Sequence, residues 1–184
     1  MANTAALYHR GTLDALDLLR ADHDKIRMLF KEYDSLRERG DQDEHKSEIV
    51  DEICYELTLH AMIEEEIFYP AVRTALGDDA LLDAALEEHT SARELIAQLE
   101  EMYPGDEHFD ALLDLLEEEI SDHIDREEAE LFNAVRSSGI DLVSLCGLLI
   151  ARKDALDDDL TAPPLQAEAQ QPHDGARQPP RAPN

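Results

Sequence analysis

"HAMIEEEIFYP" (His60–Pro70) continues an amphipathic helix whose apolar seam is broken by the first residue of the quotation. The seam runs Ile53, Leu57, His60, Glu64, Ile67, Ala71, the 3–4 spacing with which a helix packs into a bundle. Burying an imidazole there, and a carboxylate one turn later, costs on the order of a few kcal/mol unless something satisfies them. The same interruption recurs in three further seams. One runs Leu16, Leu19, His23, Ile26, Phe30, Tyr33; the next runs Leu82, Leu86, His89, Ala92, Ile96, Leu99. The last runs Phe109, Leu113, Leu116, Ile120, His123, Glu127, Leu131. Four apolar seams, each broken by histidine, predict an all-α, up-down-up-down four-helix bundle with a polar centre.

The helix ends follow from the breakers. "ERGDQD" (Glu38–Asp43), "LGDD" (Leu76–Asp79) and "MYPGDE" (Met102–Glu107) carry the Gly, Pro and capping Asp residues that end one helix and start the next. Helices are expected over roughly 12–39, 43–76, 79–102 and 106–137, with Pro70 kinking the second. Residues 1–11 read as an N-terminal arm. "DLVSLCGLLIARKDAL", within 138–160, reads as a short fifth helix that packs on the bundle or takes a protein partner. From Thr161 to Asn184 the chain holds six of its eight prolines and no apolar period, so a disordered tail is expected.

Composition excludes several function classes. The chain has 184 residues, 44 acidic against 16 basic, and a net charge of -28, which argues against a nucleic-acid or anionic-membrane surface. No apolar run has the length of a membrane span, and the start lacks a signal-peptide core, so a cytoplasmic protein is expected. Cys54 and Cys146 form no CxxC pair and read as buried thiols.

Where the polar interruptions lie along the bundle decides their meaning. His23 precedes the end of its helix by as many residues, within one, as His60 follows the start of the next. Glu64 and His89 match similarly across the second turn, and His89 and His123 differ by about one turn at about 1.5 Å per residue. The six side chains His23, His60, Glu64, His89, His123 and Glu127 therefore converge on the middle of the bundle. Two sequence echoes add a pseudo-twofold. "DHDKIRML" (Asp22–Leu29) and "EHTSAREL" (Glu88–Leu95) share an acid before His and an Arg four after it. "ELTLHAMIEE" (Glu56–Glu65) and "EISDHIDREE" (Glu119–Glu128) share Glu before the His and Glu at plus four and plus five.

His and Glu four apart lie on one helix face, as two ligands of one metal cluster must. Imidazole and carboxylate without thiolate suit iron or manganese, and six donors exceed a four-coordinate zinc site. Four imidazole bonds, four from two bridging carboxylates and an oxygen bridge fill about ten of about twelve positions on two octahedral metals. One or two positions stay open for O2, H2O2, NO or water. A ferritin-like centre is disfavoured, because that pattern sets Glu before His three apart. His9, His45, His108 and His173 fall outside the seams and receive no role. Glu65, Glu66 and Glu128 read as solvated, with an extra ligand as the alternative for any of them. Glu56 and Glu119 are candidate acceptors for the ligand histidines or plain surface, and Tyr33, Tyr55 and Tyr103 read as core rather than site.

These residues resemble the hemerythrin-like HHE cation-binding family over roughly residues 13–137. The motifs are His23 in "RADHDKIR", His60 and Glu64 in "LHAMIEEEIFYP", His89 in "EEHTSAREL", and His123 and Glu127 in "DHIDREEAELF". The resemblance implies two non-haem irons, oxo- or hydroxo-bridged, with histidines as terminal ligands and the two glutamates bridging. It departs from the oxygen-carrying hemerythrins, which use five histidines, for Arg93 stands where the HxxxH partner of His89 falls in those proteins. Relatives are associated variously with peroxide, NO or iron handling and sensing. The leading expectation is a di-iron protein that reacts with or senses O2, H2O2 or NO, with catalase-like disproportionation as the first enzymatic candidate. An iron-dependent interaction or regulatory module, or storage and transport of O2 or iron without turnover, is the alternative.

Overall fold

The structure, a computed structural model, describes residues 13–40, 42–77 and 80–161. The N-terminal arm, the Pro-rich tail beyond Thr161, Asp41 of the "ERGDQD" break and Asp78–Asp79 of the "LGDD" break lie outside these residues, and Thr161 itself ends the last helix. The described residues are all-α, with no strand among them. Four rods form an up-down-up-down bundle. The first is α1 (Ala15–Arg39), and the second is α2 (Asp43–Ile63) continued through a π-turn (Glu64–Phe68) into α3 (Tyr69–Leu76). The third is α4 (Ala80–Leu99), and the fourth is α5 (Phe109–Arg126) continued through a second π-turn (Glu127–Leu131) into α6 (Phe132–Ser138). A fifth helix, α7 (Leu142–Thr161), lies against α1, α2 and the first π-turn.

Local chemistry sets the ends. Asp14 caps α1 in a reciprocal box: its side chain accepts from Asp17 N–H, and the Asp17 side chain accepts from Asp14 N–H. Gly40 closes the helix in the left-handed region at φ 65°, where a side chain is disfavoured. The fourth rod starts at Phe109 rather than near Asp106, because the Asp106 carboxylate is spent on the Tyr103 N–H (2.9 Å) in the preceding turn.

The two π-turns are the chief departure from the uninterrupted helices expected. Tyr69 N–H donates to Glu64 O, and Phe132 N–H donates to Glu127 O, each five residues back. Both wide turns begin at a glutamate that interrupts a seam. The second contains no proline, so Pro70 is not their common cause. Pro70 itself falls in the first turn of α3, directly after the wide turn.

The polar centre divides the core. On one side Leu16, Leu19, Ile63, Phe68, Leu82 and Phe132 pack together, joined by Leu145, Cys146, Leu149 and Leu156 of α7. On the other side Ile26, Phe30, Tyr33, Ile53, Ile96 and Leu116 form a second cluster. Between them are the buried polar residues Asp22, His23, Glu56, His60, Glu64, His89, His123 and Glu127. Cys54 and Cys146 are free and buried, and burial pushes the Cys54 thiol up to about 12.

Candidate metal centre

The six residues singled out by the seams meet at the middle of the bundle. His23 Nε2 lies 3.2 Å from His60 Nε2 and 3.3 Å from Glu127 Oε2. His89 Nε2 lies 3.3 Å from His123 Nε2, and Glu64 Oε2 lies 3.3 Å from both His60 Nε2 and His89 Nε2. Two donor groups result, His23–His60–Glu64–Glu127 and Glu64–His89–His123, each with its donor atoms within 4.8 Å of one another. Glu64 belongs to both. All six residues are buried, His23 and Glu64 completely.

Each imidazole is turned by a carboxylate behind it. His23 Nδ1 faces Glu128 Oε1 at 3.0 Å, His89 Nδ1 faces Glu65 Oε1 at 2.9 Å, and His123 Nδ1 faces Glu88 Oε2 at 2.8 Å. The fourth is looser: His60 Nδ1 stands 3.7 Å from Asp22 Oδ2. A carboxylate at Nδ1 holds the proton on that nitrogen and aims the Nε2 lone pair inward. Behind each carboxylate is a cation. Arg27 donates to Glu128 (3.2 Å), Arg93 donates to Glu65 (2.6 Å), Arg126 pairs with Glu88, and Lys153 pairs with Asp22. The pseudo-twofold of the sequence is therefore a spatial one. Asp22 and Glu88, just before one histidine, orient the next; Glu65 and Glu128, five after one histidine, reach across to another rod.

The electrostatics mark these groups as under tension. Burial, and then the charge of Glu127, holds the Glu64 carboxyl well above the usual carboxylate range. Burial also acts on Glu127, but His23 beside it wins and leaves it lowered to about 2. His60 is depressed to about 4 by burial. Glu64 Oε1, both Glu127 oxygens, His60 Nδ1 and Asp22 Oδ2 are buried without a hydrogen-bond partner. Unpaired buried carboxylate oxygens cost free energy in a structural core. A cation among them fits this donor set.

Several residues differ from the sequence reading. Glu65 and Glu128, read there as solvated, orient His89 and His23; Glu66 is exposed and bonded to Arg152. Glu56 pairs with Lys25 at 2.7 Å, and Glu119 is half-exposed. Tyr33 bonds to Asp110 and Tyr55 to Asp157, while Tyr103 is exposed. Among the described residues, the tyrosine that reaches the centre is Tyr69, which sequence reasoning missed. Its hydroxyl donates to Glu64 Oε2 (3.1 Å), and its ring stacks on His89 at 5.6 Å. Phe132 occupies the equivalent place after the second π-turn, stacked on His23 at 5.8 Å. The signal was an aromatic five residues after each seam glutamate. His45 and His108 are exposed, and His9 and His173 lie outside the described residues.

Comparisons with known proteins cover the same part of the chain. The hemerythrin HHE cation binding domain matches residues 14–135. A DNA nickase of Nostoc sp. (strain PCC 7120) is 30% identical over 122 residues, which are 66% of this chain and 33% of the nickase. An uncharacterized hemerythrin-like protein of Schizosaccharomyces pombe is 26% identical over 114 residues, 61% of this chain and 54% of that protein. The chain thus spans a third to a half of the length of these curated relatives. The crystal structure of a hemerythrin HHE cation binding domain-containing protein from Mycobacterium kansasii superimposes with a TM-score of 0.67 at 21% identity, covering 81% of this chain and 93% of that one. At that identity the likeness is one of fold. No helix among the described residues is long and apolar enough to cross a membrane.

Proposed function

The chain belongs to the hemerythrin HHE cation binding domain family, and from that premise we propose that it holds two non-haem irons and reacts with or senses a small molecule, O2, H2O2 or NO. His23, His60, His89 and His123 are the terminal donors of this reading, and Glu64 and Glu127 the bridging ones; manganese suits the same donors. The observation that carries it is the pair of donor groups sharing Glu64, with unpaired carboxylate oxygens between them. Bound iron supplies redox and Lewis-acid chemistry toward a small oxidant. The chain supplies the rest. Its outer carboxylates fix the imidazoles, and its two apolar clusters shield the centre from bulk water. Burial keeps the Tyr69 hydroxyl protonated, so one end of the centre has a proton to donate, whereas Phe132 leaves the other end without one. A net charge of -28 favours this small-molecule reading over nucleic acid.

The direct test is elemental analysis of protein purified without added metal, followed by oxygen-electrode measurement on adding H2O2. About two irons per chain with vigorous O2 release is the expected result and supports catalase-like turnover. The same iron without O2 release turns the reading to sensing, storage or transport. A chain that takes up no iron after anaerobic reconstitution sinks it.

A second reading, a metal-dependent interaction module, draws on α7. That helix lies beyond the family-matched residues, yet its Lys153 pairs with Asp22, the carboxylate that faces His60. Occupancy of the centre and docking of α7 are then linked, and the linkage is reciprocal. In limited proteolysis, α7 is expected to be cleaved several-fold faster in metal-free than in iron-loaded protein, and Lys153→Met to erase most of the difference. Equal cleavage of the two forms of the parent chain removes this reading.

A further inference from the structure

Beside the donor residues lies a cavity of about 150 Å³. Ile26, Leu57, Ala92, Ile96, Ile120 and Ile124 form its walls. His60, His89 and His123 also line it, whereas His23, Glu64 and Glu127 do not, so the cavity adjoins the donor groups rather than coinciding with them. It differs in chemistry from the centre it touches. Apart from those imidazoles its walls are mostly hydrocarbon; the Thr58 hydroxyl among them donates to Cys54 O at 2.8 Å, and Arg93 has one arm on Glu65 and the other on Thr90 Oγ1 at 3.3 Å.

Size and polarity define what fits. A water molecule takes about 30 Å³ of liquid volume and needs two to four polar partners, which the mostly aliphatic walls, with Thr58 bonded to Cys54 O and Arg93 to Glu65, offer poorly. H2O2 has the same need. O2 or NO is apolar enough to enter but, with two heavy atoms, fills only a small part of the space. An apolar protein cavity of about 150 Å³ accepts a molecule the size of benzene. An anion is disfavoured, because Arg93 is engaged and the surface is strongly acidic. We propose that this cavity binds a neutral apolar organic molecule of about six to eight heavy atoms, aromatic or short-chain, packed between the Ile and Leu walls and the imidazole edges of His60, His89 and His123. Binding needs no metal. That such a molecule would meet the reactive centre rests on the di-iron reading above; that the cavity holds it does not.

The test uses the full chain, both as purified and after metal removal, titrated with fluorobenzene and followed by ¹⁹F and methyl NMR. Saturable one-to-one binding is expected in both forms, with shifts concentrated on the methyls of Leu57, Ile96 and Ile120. Ala92→Phe fills the space and is expected to weaken binding at least tenfold while metal content stays at the parent value. Ile96→Phe serves the same purpose if Ala92→Phe fails to fold. Non-saturable shifts, or binding that neither filling variant weakens, overturn the proposal. Binding in a chain that takes up no iron upholds the cavity while rejecting the metal centre, so the two failures are distinguishable.

Discussion

Adding ferrous iron in excess to the metal-free chain under argon is expected to raise its melting temperature by about 10–20 °C, at free iron about a hundred times the dissociation constant. Each site then contributes about 2.7 kcal/mol by mass action, or about 5 kcal/mol for two, and a chain of this size gains about 2–4 °C per kcal/mol. The sign follows from the core. Without a cation, Glu64 Oε1 and both oxygens of Glu127 are buried between two apolar clusters without a hydrogen bond, His23 at 3.3 Å being the nearest charge to Glu127. The Glu64 carboxyl is held well above its ordinary range because burial and the Glu127 charge oppose its ionisation. A cation relieves both burdens at once, and the folded state alone offers the assembled donors. Calorimetry with and without metal measures the effect. A melting temperature that iron leaves unmoved, together with no bound iron after desalting, means that the six polar groups satisfy one another, and the metal reading fails.

Most of the bundle and the convergence of its donors can be read from the sequence, because 3–4 spacing is a strong signal and a histidine in such a seam stands out against leucine and isoleucine. The outer layer was harder for a physical reason. On a regular α-helix Glu65 is turned about 100° from Glu64 and points off the seam, so it reads as solvated. In the structure each seam glutamate opens a π-turn, and its neighbour reaches a histidine on another rod, Glu65 to His89 and Glu128 to His23. An i, i+4 period cannot announce an i, i+5 turn. The internal repeat contains the missing information: "EEEIFY" (Glu64–Tyr69) and "EEAELF" (Glu127–Phe132) both put an aromatic five after the glutamate. Extending the echo that far would have found Tyr69. Arg93 teaches a related lesson. It stands where the oxygen-carrying hemerythrins have a histidine, and here it and its repeat partner Arg27 brace Glu65 and Glu128 from outside. Lys153 has no such counterpart, since the place equivalent to Arg126 in the first half is Ile63, and the cation comes from α7 instead.

The asymmetry between the two glutamates leads to the most discriminating expectation. Glu64 already belongs to both donor groups, whereas Glu127 belongs to one and would have to shift to serve as the second bridge, so their removal should not be equivalent. Glu127→Ala leaves Glu64, His89 and His123 in place and is expected to retain about one iron per chain; His60→Ala, which also touches only the first group, is expected to do the same. Glu64→Ala strips a donor from both groups and should fall well below one. Stability provides an independent reading. Replacing Glu64 by the similarly sized Met removes a buried carboxyl whose desolvation costs on the order of 1–3 kcal/mol, although Tyr69 loses that acceptor and keeps the His89 contact at 3.4 Å. Metal-free Glu64→Met is therefore expected to melt no lower than the metal-free parent, while losing the iron-induced rise. A residue retained for packing behaves in the opposite way: its loss lowers the melting temperature with or without metal. Paired calorimetry and elemental analysis on Glu64→Met, Glu64→Ala and Glu127→Ala separate the cases. Equal iron in both alanine variants sinks the shared-donor role of Glu64, and a metal-free Glu64→Met that melts far below its parent makes Glu64 a structural residue.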